Sequence, residues 1–197
     1  MRANASQAKV LAICAEAGKE LAPHLVQGRT EGTNHVQPQI PIVFIAGGAD
    51  PSLDIHLDAY KGLLVASLGG FQGIVFSGGT NTGIPGLLGT IAQEFRNAGK
   101  LEFKLYGYVP DAMPRGVQED QRYTKVFPTT NMGFSCRETL QNWIDLISLG
   151  VDPAAVRILG INGGEIAEFE YHLGLALGAT VALVEDSGRI ASQMLSE

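Results

Sequence analysis

Cysteine is scarce in this sequence, and this scarcity argues against a disulfide-stabilised protein and against a cysteine metal site. The two cysteines, Cys14 and Cys136, have no spacing typical of a disulfide framework or of a metal site. Free thiols are the default in a reducing compartment, so we expect a cytoplasmic protein. The residue pattern predicts neither a metal ion nor a bound cofactor.

Basic tracts and long hydrophobic runs are also missing. The formal net charge is −6, and no cluster of Lys and Arg is available to displace the counterions of a nucleic acid, so we expect no nucleic-acid partner. No apolar run reaches about 18 residues, which argues against insertion into a membrane. The first residues do not show a basic region followed by a hydrophobic core, so no secretory signal is predicted.

The pattern of apolar residues predicts an α/β protein. Residues 1–39 are expected to form an N-terminal helix (5–26) and a polar linker (27–39), and residues 40–197 a single domain. Within that domain, short apolar runs alternate with helical patterns, which predicts a Rossmann-like open parallel sheet of about five strands with helices on both faces. The predicted strands are residues 40–46, 73–76, 104–109, 156–161 and 180–184.

Residues 110–134 show no periodicity and are expected to be a long irregular loop of the kind that often belongs to a binding site. Ser135 followed by Glu138 fits a capping box, so a helix should begin there and end near Gly150. A second helix is expected after Gly164, closed by Gly178.

Glycine-rich turns follow three of the predicted strands. Glycine allows a close backbone approach, and a helix start offers free N–H groups to an anion such as phosphate. In an open parallel sheet such turns meet at the switch point, where ligands bind. The alternative is that the glycines serve packing alone. We predict a nucleotide-sized ligand on these turns, contacted by Gly47, Gly48, Ser77, Gly78, Gly79, Thr80, Asn81, Thr82, Gly83, Asn162, Gly163 and Gly164.

Charged residues complete the predicted site. Three carboxylates lie in the first two turns of one predicted helix, namely Glu165, Glu168 and Glu170. They are stabilised there by the positive end of the helix dipole, or they bind ribose hydroxyls of a ligand. A carboxylate there could also stabilise positive charge on a sugar during glycosidic cleavage. Phosphate would be bound by arginines in or beside the irregular segment, namely Arg115, Arg122 and Arg137. The alternative is that these arginines are simply solvated.

Two stretches, GIVFSGGTNTGIPGLLG (73–89) and LGINGGEIAEFEYHLGLALGATVALVEDSGR (159–189), resemble the SLOG superfamily. That group includes the LOG phosphoribohydrolases, lysine-decarboxylase-like proteins, nucleotide-sensing regions of melastatin-type transient receptor potential channels, and sensors of bacterial anti-phage systems. The resemblance covers roughly residues 40–190 and implies a modified Rossmann sheet. The segment with Thr82-Gly83-Ile84 looks closest to the sensor branch.

LOG enzymes carry the motif Gly-Gly-x-Gly-Thr-x-x-Glu. Gly163, Gly164 and Glu170 match its paired glycines and its glutamate, whereas Ile166 and Ala167 replace its third glycine and its threonine. This departure counts against phosphoribohydrolase activity.

The resemblance therefore implies a sensor domain for ADP-ribose, cyclic ADP-ribose or another nucleotide-derived molecule. We expect it to form a homo-oligomer and to control a fused or separate effector. The alternatives are a LOG-like phosphoribohydrolase that uses Glu170, and a degenerate domain kept for oligomerisation.

Overall fold

A computed structural model of the chain describes residues 40–48 and 57–196. The expected N-terminal helix and linker lie outside these residues, and so do residues 49–56. The helices and strands are, in chain order, β1 (Ile42–Gly47), α1 (Leu57–Leu68), β2 (Ile74–Ser77), α2 (Gly83–Asn97), β3 (Lys104–Ala112), β4 (Lys125–Met132), α3 (Cys136–Ser148), β5 (Val156–Ile161), α4 (Glu165–Leu177), β6 (Thr180–Leu183) and α5 (Arg189–Ser196).

The six strands form one parallel sheet in the order β4-β3-β2-β1-β5-β6. From β1 the chain first builds outward on one side through β2, β3 and β4, and then returns to build β5 and β6 on the other side. The direction of winding therefore reverses between β1 and β5, and the loops after these two strands separate to leave a crevice. The predicted fold class is confirmed, with six strands in place of about five.

Helices cover both faces of this sheet, as predicted. Successive side chains of β1 point to opposite faces, and Phe44 and Ile45 are almost completely buried in separate cores. The core around Phe44 includes Trp143 of α3 and Tyr171 of α4. The core around Ile45 is completed by apolar side chains of α1 and α2. Burial on both faces explains why the central strands read as continuous apolar runs.

The segment 110–134 is more regular than its sequence predicts. Strand β3 continues to Ala112, and β4 lies inside the expected loop and pairs with β3 in parallel. Because β4 is an edge strand, it tolerates Pro128 and several polar residues, which hide its period. Aromatic packing holds it in place, since the Phe127 ring stacks on the Tyr108 ring at a centroid distance of 5.0 Å.

The predicted helix start at Ser135 is confirmed in atomic detail. The Ser135 N–H donates to Glu138 Oε2 at 2.8 Å, and the Arg137 N–H donates to Ser135 Oγ at 3.1 Å. The reciprocal bonds form a capping box. Gly178, with φ of +94°, ends α4 as predicted. In residues 40–48 and 57–196, no helix is both long and apolar enough to cross a membrane.

Candidate ligand-binding site

A cavity of about 540 Å³ lies at the carboxyl edge of the sheet, over the ends of β1, β2 and β5. This is the position at which the direction of winding reverses, where open α/β sheets bind ligands. The volume falls in the range of small-molecule sites. One wall comes from α3, another from the first turn of α4, and the loop after β3 contributes Val117.

The cavity brings together nine of the predicted site residues, drawn from all three glycine turns and from α4. They are Gly47, Gly48, Ser77, Gly78, Thr80, Thr82, Gly164, Glu165 and Glu170. Six others neighbour these residues in the chain without lining the cavity, namely Gly79, Asn81, Gly83, Asn162, Gly163 and Glu168. Asn162 has a structural position, because its Nδ2 donates to the Ser187 carbonyl oxygen at 2.7 Å and its Oδ1 accepts from the Gly163 N–H at 2.8 Å.

The three arginines predicted to bind phosphate lie outside the cavity lining. The Arg122 guanidinium donates to the Asp120 carboxylate, to Thr90 Oγ1 and to the Gly86 carbonyl oxygen. Arg137 Nη1 donates to the Thr130 carbonyl oxygen at 2.7 Å. Arg115 is exposed in the loop between β3 and β4.

The two helix starts that face the cavity differ in what they can offer an anion. At the start of α2, the Ile84 N–H donates to the Gly48 carbonyl oxygen at 3.1 Å, and Pro85 has no N–H. Two of the first three positions of that helix are therefore unavailable to a ligand. At the start of α4, the N-cap residue is Gly164, so no side chain caps the first N–H groups of the helix. The next three residues all line the cavity, and their N–H groups are therefore the ones that an anion in the cavity could contact.

Arg189, which the sequence analysis did not select, lies beside this start of α4. It lines the cavity, and a Cβ atom placed on Gly164 would lie 2.9 Å from Arg189 Nη2. Among the described lining residues it is the single Lys or Arg. A guanidinium over a helix N-terminus without a side-chain cap suits a phosphate or carboxylate group.

The backbone around Arg189 is unusual. Asp186, Gly188 and Arg189 all have positive φ, at 56°, 85° and 49°. Ser187 holds this turn in place, since its Oγ donates to the Val184 carbonyl oxygen at 2.7 Å and accepts from the Asn162 N–H at 2.8 Å. Strained backbone of this kind is frequent where a side chain must be aimed at a site.

The α3 wall contributes buried polar groups. Glu138, Thr139 and Asn142 are each at most 7% exposed and line the cavity. Both oxygens of Glu138 accept hydrogen bonds, from Thr129 Oγ1 and from the Ser135 N–H. Among the described residues, Asn142 Oδ1 and Thr80 Oγ1 are buried atoms without a hydrogen-bond partner.

Glu170 lies deeper along α4 and is half-buried. Burial raises the pKa of its carboxyl from about 4.5 to about 7, because desolvation disfavours the charged form. Near neutral pH a carboxyl of this kind exchanges protons readily. No group of three or more His, Cys, Asp or Glu side chains able to hold a metal ion occurs among the described residues.

One sequence signal could have revealed the α3 wall. Glu138, Thr139 and Asn142 share one helix face (i, i+1 and i+4), next to the apolar stripe that carries Trp143. Polar residues that interrupt a buried face need partners, so they indicate either a network or a ligand. Arg189 gave no comparable signal, because its position depends on a turn with three residues at positive φ.

Comparison with known proteins supports the fold. No protein-family model and no curated protein matches the chain. The crystal structure of the structural-genomics target TM1055 aligns with a TM-score of 0.55 at 18% identity, covering 80% of this chain and 82% of that one. The molybdenum cofactor carrier protein of Chlamydomonas reinhardtii aligns with a TM-score of 0.55 at 13% identity, covering 80% and 83%. At such identities the likeness shows the fold alone, a Rossmann-like α/β fold with an open parallel sheet.

Proposed function

We propose that this domain binds a phosphorylated, nucleotide-derived small molecule and reports its presence to an effector. One observation carries the proposal: the Arg189 guanidinium lies next to the N-terminus of α4, and both line a cavity of small-molecule size. The N–H groups of the first α4 turn and the guanidinium would together bind a phosphate. The glycine turns after β1 and β2 would bring backbone close to the rest of the ligand.

The neighbours in fold are consistent with a binding role. The Chlamydomonas reinhardtii protein is a carrier of the molybdenum cofactor, so a fold of this kind serves there to carry a small molecule. The sequence resemblance to the sensor branch favours ADP-ribose or cyclic ADP-ribose as the ligand of this chain. Homo-oligomer formation and control of an effector are parts of the same proposal.

Titration calorimetry with ADP-ribose, cyclic ADP-ribose, AMP and ribose 5-phosphate tests the proposal. We expect at least one of these compounds to bind, and Arg189→Gln to weaken its affinity about 10-fold or more, as expected for a charge-assisted hydrogen bond worth about 1.5–3 kcal/mol. Arg115→Gln is the matched control, because Arg115 is exposed outside the cavity and should leave affinity unchanged. Flat isotherms for the whole panel would contradict the proposal.

A second function is favoured by one specific observation, the position of the Glu170 side chain on the wall of the cavity, in the helix whose start would bind the phosphate. In a LOG-like phosphoribohydrolase, this carboxylate would stabilise the positive charge that develops on the ribose as the N-glycosidic bond breaks. The assay is release of free adenine from AMP. Turnover by the wild-type protein that disappears in Glu170→Gln would establish the enzyme, whereas AMP binding without adenine release would favour the sensor.

A further inference from the structure

Phe134 is an aromatic residue of the cavity lining that the proposed phosphate site does not use. It lies between the end of β4 and the start of α3, and it is half-buried, so part of its surface remains accessible. It belongs to neither of the two hydrophobic cores that the described residues form. Apolar surface that lines a cavity without joining a core is available to an apolar part of a ligand.

The lining residues near Phe134 in the fold leave mainly apolar and aromatic surface for a ligand. Val117, in the loop between β3 and β4, is half-buried. Tyr108 of β3 lines the cavity, and its hydroxyl donates to the Asp145 carboxylate, so its polar atom is already engaged. Glu138 is the charged residue here, and both of its carboxylate oxygens accept hydrogen bonds from the protein. A phosphate would be repelled by that carboxylate, whereas an uncharged ring would not.

The order of the strands separates Phe134 from the proposed phosphate site. Helix α3 packs against β3 and β4, whereas α4 packs against β5 and β6. In the order β4-β3-β2-β1-β5, strands β4 and β5 are four spacings of about 4.8 Å apart, or about 19 Å. Phe134 follows β4 by two residues, and Gly164, with Arg189 beside it, follows β5. The two features therefore lie toward different ends of the cavity.

We propose that Phe134 selects ligands that carry a base, by stacking on a flat aromatic heterocycle whose phosphate lies at the start of α4. This inference rests on the proposed function and adds the residue that recognises the second group of the ligand. Aromatic rings in offset stacking gain free energy beyond that of burial alone. Every nucleobase has a π-face, so an accessible aromatic side chain is sufficient to hold one.

Titration calorimetry with ligands that share a ribose phosphate and differ in the base is the first part of the test. AMP and ADP-ribose carry adenine, and ribose 5-phosphate lacks it. We expect the wild-type protein to bind the better of the two adenine compounds at least about 10-fold more tightly than ribose 5-phosphate, because stacking of a base on an aromatic side chain is worth about that factor.

Variants of Phe134 are the second part of the test. Phe134→Leu keeps an apolar side chain and removes the ring, so it should weaken binding of the adenine compound about 3- to 10-fold and leave the affinity for ribose 5-phosphate unchanged. Phe134→Tyr keeps the ring and should bind within about 3-fold of the wild-type protein. Met132→Leu is the matched control, because Met132 is an exposed apolar residue two positions away that does not line the cavity.

The outcomes separate this inference from the proposed function. Equal affinities of the wild-type protein for the adenine compounds and ribose 5-phosphate would overturn the inference and leave the proposed function intact. The same holds if Phe134→Leu binds the adenine compound as the wild-type protein does, or if Phe134→Tyr loses as much affinity as Phe134→Leu. An equal loss of both kinds of ligand in Phe134→Leu would show that Phe134 only shapes the site, and would also overturn it. If the wild-type protein binds none of these compounds, the proposed function fails and this inference falls with it.

Discussion

Arg122 and Asp120 form an ion pair that fastens the loop between β3 and β4 to helix α2. Arg122 Nη2 lies 2.7 Å from Asp120 Oδ2, and Nε donates to Asp120 Oδ1 at 2.8 Å. The guanidinium also donates to Thr90 Oγ1 and to the Gly86 carbonyl oxygen of α2. The same loop brings Val117 to the cavity, so the pair helps to shape the site without lining it.

Asp120→Asn should destabilise the protein by about 2–4 kcal/mol, because the Asp120 side chain is 2% exposed and its loss leaves a positive charge without compensation. Urea unfolding measures this change. Glu94→Gln is the control, since Glu94 pairs with Lys61 at 2.6 Å on the surface, where an ion pair contributes about 0–1 kcal/mol. Equal effects of the two substitutions would show that the Asp120 pair has no structural importance.

Glu165→Gln should strengthen the binding of phosphorylated ligands several-fold. Glu165 is the first residue of α4 and lines the cavity, so its carboxylate competes with a ligand phosphate for the positive end of the helix. Calorimetry with whichever phosphorylated compound binds the wild-type protein measures the change. Glu168→Gln is the control, because Glu168 belongs to the same helix turn without lining the cavity and should have a smaller effect. Weaker binding in Glu165→Gln would instead indicate that Glu165 contacts the ligand.

Gly160→Ala should destabilise the protein by about 1–3 kcal/mol through overpacking. A Cβ atom at Gly160 would lie 2.6 Å from the Tyr171 ring and 2.6 Å from Leu183 Cδ2. Gly62→Ala is the contrasting substitution, since its added methyl group meets nothing within 4 Å in helix α1, and it should stabilise by about 0.5–1 kcal/mol. Denaturant midpoints of both variants measure the difference, and a neutral Gly160→Ala would show that Tyr171 can move aside.

The sequence predicts the fold well because the fold depends on local signals. Continuous apolar runs mark the central strands, and Ser135 with Glu138 marks a helix start. Strand β4 escaped prediction because an edge strand has no need of a continuous apolar pattern, and Pro128 interrupts the pattern further.

The site is harder to predict, since it depends on which charged groups the folded chain brings to the cavity. Arg122 looks like a phosphate ligand in sequence, yet the folded chain engages its guanidinium with Asp120 and α2. Arg189 lines the cavity because a turn with residues at positive φ places it there, and no local sequence pattern predicts that turn. The start of α2 follows the richest glycine stretch, yet Gly48 and Pro85 limit its N–H groups.

Glu170 should make the stability of the protein fall as the pH rises. Its folded-state pKa of about 7 is above the ordinary value near 4.5, so the folded state holds a proton that the unfolded state has already released. The corresponding stabilisation is fully present below about pH 4.5 and is lost as the pH rises through about 7.

The full separation of the two pKa values corresponds to roughly 3 kcal/mol, and partial solvation of a half-buried carboxyl reduces the expected effect to about 1–2 kcal/mol. Glu170→Gln cannot ionise, so the unfolding free energy of this variant relative to the wild-type protein should increase between pH 5 and pH 8. Chemical denaturation at several pH values measures this difference. A constant difference across that range would mean that Glu170 ionises in the folded state as an ordinary exposed carboxylate does.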